Sequence, residues 1–143
     1  MRIATLLAGK GDSVATITAD KTVTAAADAL RAHRIGALVV SSDGEHIDGI
    51  VSERDIVRGL AGRLSALLDE PVRSIMTSTV FTCSPDDDVE SLMAAMTQRR
   101  IRHVPVVRDG RLCGIISIGD VVKSRIDELE KDRKELVEYI NGR

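Results

Sequence analysis

The chain has 143 residues, 43% of them hydrophobic and 29% charged, with a formal charge of −2, which suits one compact soluble unit with a real core, or two very small lobes sharing one. That charge removes the general electrostatic drive toward DNA or RNA, and with Phe81 and Tyr139 as the only aromatic residues the chain has no platforms on which bases could stack. The core must be aliphatic, and no apolar run approaches membrane-spanning length.

At the start, Met1 to Ala8 carries a short apolar run, stopped by Lys10 and Asp12, that is too short for a signal peptide. It suits a helical turn or two before Gly9 and Gly11, and a cytoplasmic protein is expected. Val14 to Thr18 alternates and is β-branched, the pattern of a short strand. Asp20 and Thr22 offer caps for an amphipathic helix on Val23, Ala26, Ala27 and Leu30, ending near His33. Ile35 to Val40 reads as a buried strand, Asp43-Gly44 as a hairpin turn, and Ile47 to Val51 as the returning strand. Ser52 opens a second helix carrying Ile56, Val57 and Leu60.

A linker, partly helical through Leu64, Leu67 and Leu68, ends at Pro71. The order then restarts. Val72 to Thr77 is a lead-in turn and Val80 to Cys83 a strand. Pro85 and Asp86 to Asp88 suit a helix N-terminus, followed by a buried stripe of Val89, Leu92, Met93 and Met96. Strands at 104–107 and 112–116 flank the turn Asp109-Gly110, and Ser117 opens a helix with Val121 and Val122 facing inward. The charged tail continues that helix, with Ile126, Leu129, Leu136, Val137 and Ile140 on one side, and is expected to pack on its own module or on a second subunit. The fold class is therefore α/β (α+β): a duplicated β-α-β-β-α unit about a pseudo-twofold axis, with a C-terminal amphipathic helix. The expected boundaries are 1–61 for the first unit, 62–71 for the linker, 72–123 for the second unit and 124–143 for the tail.

One phrase marks the duplication. Gly49-Ile50-Val51-Ser52-Glu53-Arg54-Asp55 returns as Gly114-Ile115-Ile116-Ser117-Ile118-Gly119-Asp120. Ser followed three residues later by an acid at a strand-to-helix junction is close to a capping box, and capping alone accounts for one copy. The same geometry also suits a ligand: a helix N-terminus favours phosphate, and a carboxylate there can accept hydrogen bonds from ribose hydroxyls. Both readings stand at this point.

The duplicated unit, with its Gly-h-h-Ser-x-x-Asp ending (h, hydrophobic), resembles a tandem pair of CBS domains, a Bateman module, over roughly residues 14–123. The resemblance implies two sites for adenosine-containing ligands: AMP, ADP, ATP, NAD or S-adenosylmethionine. It implies a regulatory module without catalytic cofactor, a homodimer, and a protein target that reads the ligand state. Carried over by motif, one site takes Thr16, Ile17, Ile35, Ala37, Ser52 and Asp55; the other takes Thr82, Cys83, Ile101, His103, Pro105, Ser117 and Asp120. The second repeat, with Arg99 to Arg102, His103 and Pro105, matches the family pattern more fully, so Ser117 and Asp120 are expected to form the more family-like site. Arg54, Arg100, Arg102 and His103 are expected to converge on phosphates from both halves.

Enzyme chemistry lacks its parts. There is no nucleophile–base pair, no Walker-type phosphate loop and no spaced metal-ligand set, and His33, His46 and His103 are scattered. Cys83 and His103 could meet only through the fold. A constitutive dimerisation module whose Ser and Asp residues merely cap helices is the alternative to a ligand sensor.

Overall fold

The structure, a computed structural model, describes residues 1–142. Helix α1 (Ile3–Lys10) is followed by strand β1 (Thr16–Ile17), helix α2 (Val23–His33), strands β2 (Ala37–Val40) and β3 (Gly49–Ser52), and helix α3 (Glu53–Arg63). Two 3-10 turns, Leu64–Asp69 and Val72–Ser74, lead to α4 (Val89–Arg99), β4 (His103–Arg108), β5 (Arg111–Ser117) and the long α5 (Ile118–Ile140). In one sheet β1 runs parallel to β2, and β2 antiparallel to β3. The other sheet is the β4–β5 hairpin, in which His103 stands opposite Ser117 just as Ala37 stands opposite Ser52. Among the described residues no helix is long and apolar enough to cross a membrane.

The helices begin where short polar side chains can take up free amide groups. Thr22 accepts from Ala25 N–H at the start of α2, and Asp88 accepts from Ser91 N–H at the start of α4. At their far ends, Arg34 and Arg100 adopt matching left-handed conformations, with φ of 54° and 56°, and turn the chain back toward the sheets.

Three expectations change. Val80 to Cys83 does not form a strand: only Cys83 pairs, exchanging bonds with Pro105 O and Val107 N–H. The Asp87 carboxylate takes the Ser84 amide and turns the chain there, while Val80 and Phe81 line a cleft. Asp43-Gly44 is not a tight hairpin. The Asp43 carboxylate captures the amides of Glu45 and His46 and contacts the His46 ring at 2.6 Å, which spreads the connection over 41–48 and delays the returning strand to Gly49. Val122, expected inward, is 47% exposed beside a fully buried Val121, because one helical step of about 100° carries it off the core-facing stripe.

The halves are interlocked by exchanging their lead-ins. Ile3, Leu6 and Leu7 of α1 lie in the core of the second repeat, with Leu92, Met96, Val104 and Ile116. Val72, at the head of the second repeat, is buried in the core of the first with Val23, Leu38 and Val51, and Ile75 and Met76 pack against that core. The backbone follows suit. Val89 N–H reaches Met1 O as Val23 N–H reaches Glu70 O, and the bridge Arg2–Asp88 mirrors Thr22–Pro71. A fully buried aliphatic side chain contributes about 1.5–3 kcal/mol as an upper bound, so each exchanged segment helps hold the opposite repeat together. α1, grouped by sequence with residues 1–61, thus packs into the second unit. The linker is equally integral: Leu67 is fully buried in the first core.

Candidate functional site

Both copies of the repeated phrase form complete capping boxes. At the first, Asp55 N–H donates to Ser52 Oγ at 3.3 Å, and Ser52 N–H and Oγ donate to Asp55 Oδ2 at 2.8 and 3.0 Å. At the second, Asp120 N–H meets Ser117 Oγ at 3.2 Å and Ser117 N–H meets Asp120 Oδ2 at 2.8 Å. The first helical amide of each, Glu53 and Ile118, donates back to Gly36 O and Arg102 O. Capping is therefore satisfied at both corners. At both it runs through a single carboxylate oxygen, Oδ2 of Asp55 and Oδ2 of Asp120.

The surroundings of the two corners differ. Beside Ser52 and Asp55 opens a cleft of about 630 Å3 between the repeats. One wall carries Ala37, Ile50, Arg54 and Arg58; the other is built from residues 77–81 and 99–103. The exchanged lead-in makes this possible, because Thr77 pairs with Ile50 through both of its backbone groups and lays the following chain against β3. Ala37, Ile50, Val80, Phe81 and Ile101 supply aliphatic and ring surface, while Arg54, Arg58, Arg99, Arg100 and Arg102 outnumber Glu53 and Asp55. The Arg99 guanidinium lies 4.3 Å from the centre of the Phe81 ring, a cation–π contact that orients it. Burial pushes the His103 imidazole below its ordinary pKa; Lys10 and Arg102 add to that effect, while Glu53 and Asp120 oppose it. His103 is therefore neutral at pH 7 and available as donor or acceptor.

At the second corner the Lys10 ammonium sits on the carboxylate. Lys10 Nζ lies 2.5 Å from Asp120 Oδ2 and 2.5 Å from Ile115 O. Burial alone would raise the Asp120 carboxyl, but Lys10 and the Ser117 donors outweigh it and hold the group below its usual range.

The structure thus regroups the residues singled out by sequence. Ala37, Ser52, Arg54, Asp55, Arg100, Ile101, Arg102 and His103 line one cleft, drawn from both of the expected sets. Thr16 is exposed on β1, and Ile17 and Ile35 pack on the first core. Thr82 is exposed outside the cleft wall. Pro105 is buried within β4, and its carbonyl accepts from Cys83 N–H. Cys83 is a core residue, its thiol pushed up to about 12 by burial and directed at Pro105 O. Ser117 and Asp120, expected to form the more family-like site, stand apart at the corner held by Lys10.

The sequence expectations did not include Arg58, Thr77, Thr79 and Phe81 as cleft residues, or Lys10 as a partner of Asp120. Arg58 carried a usable signal, one helical turn after Arg54 on the same face. Lys10 carried none, since only the exchanged lead-in brings it to Asp120.

Comparison with known proteins decides the family: the CBS domain profile matches residues 11–62 and again 72–127. The chain belongs to the CBS-domain family. It is 37% identical over 129 residues to the mitochondrial CBS domain-containing protein CBSX3 of Arabidopsis thaliana, covering 87% of this chain and 63% of that relative's length. Among solved structures, a CBS-domain containing protein of Agrobacterium tumefaciens is similar at 45% identity and a TM-score of 0.85, covering 87% of this chain and 99% of that one. A CBS domain protein of Pyrobaculum aerophilum, solved in complex with AMP, is 32% identical with a TM-score of 0.75, covering 84% of this chain and 89% of that one. This CBS pair has the mixed α/β architecture of those neighbours.

Proposed function

We propose that this chain is a regulatory CBS pair that binds an adenosine-containing nucleotide in the cleft at Ser52 and Asp55. The observation that carries this reading is the convergence, in one aliphatic-walled cleft, of a carboxylate at a helix N-terminus with five guanidinium groups from both repeats. The Asp55 carboxylate takes the ribose hydroxyls, Ala37, Ile50 and Ile101 hold the base, and the arginines with His103 receive the phosphates. Hydrogen bonds to charged groups contribute about 1.5–3 kcal/mol each, so losing one lowers affinity tenfold or more. AMP, ADP and ATP fit this charge pattern better than the cationic S-adenosylmethionine; NAD, with its two phosphates, fits the electrostatics as well.

The cleft takes its walls from both repeats, so a ligand seated there can shift the angle between them through its differential affinity for two arrangements, and a protein partner can read that shift. The protein acts as a homodimer in the cytoplasm, without catalytic chemistry of its own. Calorimetry with ATP, AMP, adenosine and S-adenosylmethionine tests the reading. Arg102→Ala weakens ATP by at least tenfold while leaving adenosine nearly unchanged; equal losses for both ligands overturn the phosphate assignment.

A second reading has one observation in its favour. Both capping boxes are closed internally, and α5 leaves Val122, Ile126, Leu129, Leu136 and Ile140 exposed along one side. That suits a constitutive dimerisation module. If no adenine nucleotide binds, and Leu129→Glu with Leu136→Glu converts dimer to monomer in sedimentation, this reading replaces the first.

A further inference from the structure

The two lead-ins do the same work up to one point and then part. Leu7 packs where a Cβ on Gly114 would stand, at 2.8 Å from its Cδ2, just as Met76 packs over Gly49. Beyond Met76 the chain extends. The Thr77 amide donates to Ile50 O at 2.9 Å, and Thr79 to Phe81 become cleft wall. Beyond Leu7 the chain stays helical to Lys10 and is released only at Gly11, where φ is +103°. The carbonyl equivalent to Ile50 O is Ile115 O, and there the Lys10 ammonium replaces the backbone amide as donor. The same ammonium bridges to Asp120 Oδ2, with the two side chains only 30% and 25% exposed. Gly119 stands where the first repeat has Arg54, so the motif itself brings no guanidinium to this corner.

We infer that Lys10 is a built-in occupant of the second ribose corner, so that the chain takes one nucleotide, at the Ser52–Asp55 cleft, and keeps the Ser117–Asp120 corner closed until Lys10 is displaced. This rests on the proposed nucleotide function for its ligand class, but the latch stands on its own contacts. A ribose hydroxyl reaching Asp120 meets a carboxylate whose Oδ2 already carries the Lys10 ammonium beside the Ser117 amide, whereas Asp55 Oδ2 carries only the Ser52 cap and no ammonium. The device is also local. Lys10 ends its helix, and removing its charge leaves the buried Ile3, Leu6 and Leu7 in place.

Calorimetric titration of AMP and ATP into wild type, Lys10→Met, Lys10→Arg and Lys10→Met/Asp120→Asn tests this. Circular dichroism melts of each variant establish that it is folded. The expected result is one site per chain in wild type and Lys10→Arg, a second site in Lys10→Met at least tenfold tighter than any second event in wild type, and loss of that site in the double variant. A folded Lys10→Met protein with no added site, or a wild-type protein that already loses a site on Asp120→Asn, overturns the latch. Failure of the first-cleft reading looks different: wild type binds nothing, or its one site is indifferent to Asp55→Asn. A second-corner site gained on Lys10→Met supports the latch even then.

Discussion

The imidazole of His103 lies against Gly36, so closely that a Cβ added to Gly36 would stand 3.0 Å from His103 Cε1. Gly36 also gives its carbonyl to the first amide of α3, so this one residue holds the Ser52 corner from one repeat and seats a cleft residue from the other. Gly36→Ala is therefore expected to weaken AMP binding several-fold by displacing the ring, with a fall in stability of about 1 kcal/mol or less because the ring edge can move. Calorimetry beside a urea titration separates the two effects, and unchanged AMP affinity would remove His103 from the site.

His103 also sets a pH dependence. An unfolded imidazole titrates near its usual value of about 6.5, and burial holds the folded one lower. As pH falls through about 6.5 toward the folded value, the unfolded chain binds a proton that the folded chain lacks, so stability falls. His46 works in the opposite sense: its contact with Asp43 raises its pKa, a contribution that is complete below about 6.5 and lost as pH rises through the folded value. The comparison that isolates His103 is wild type against His103→Gln. Between about pH 8 and about pH 5.5 the melting temperature of the variant should drop less than that of wild type. Equal slopes would mean that the ring is not desolvated in the folded state.

The two motif glycines should not tolerate alanine equally. At Gly49 the added Cβ meets the Thr77 carbonyl oxygen at 2.8 Å, and that backbone is pinned by paired bonds to Ile50. At Gly114 it meets only the Leu7 side chain, whose end can rotate. Gly49→Ala is expected to destabilise by about 1–3 kcal/mol and Gly114→Ala by less, read as denaturant midpoints at constant slope. The reverse order would contradict the exchanged lead-in.

The thiols should be slow to react. Burial pushes Cys83 up to about 12 and also raises the half-buried Cys113. With an iodoacetamide probe at neutral pH, Cys113 should label first and Cys83 only at the rate of unfolding. Rapid labelling of Cys83 would place it outside the core.

Much of the architecture was legible because it is written locally. Thr22, Asp88 and the two Ser-x-x-Asp phrases cap the helices that follow them, and Asp109-Gly110, both with positive φ, closes the β4–β5 hairpin. Local signals failed at two segments. Val80 to Cys83 has the composition of a strand, but only Cys83 has a neighbour to pair with. Asp43-Gly44 carries the same signal as Asp109-Gly110, yet the Asp43 carboxylate captures amides instead of closing a tight turn. Of the site, the motif corners and the arginine run were legible residue by residue. Their grouping was not, because the cleft joins the corner of the first repeat to the α4–β4 turn of the second, and no spacing within either repeat records the exchange that brings them together.

The central claim is the location of the nucleotide. Titrating AMP into isotope-labelled protein and following backbone amides by NMR tests it most directly. The account predicts shifts concentrated at 52–58, 77–81 and 99–103, with Ser117 and Asp120 little moved. No saturable shifts, or shifts centred on Ser117 and Asp120, would contradict it.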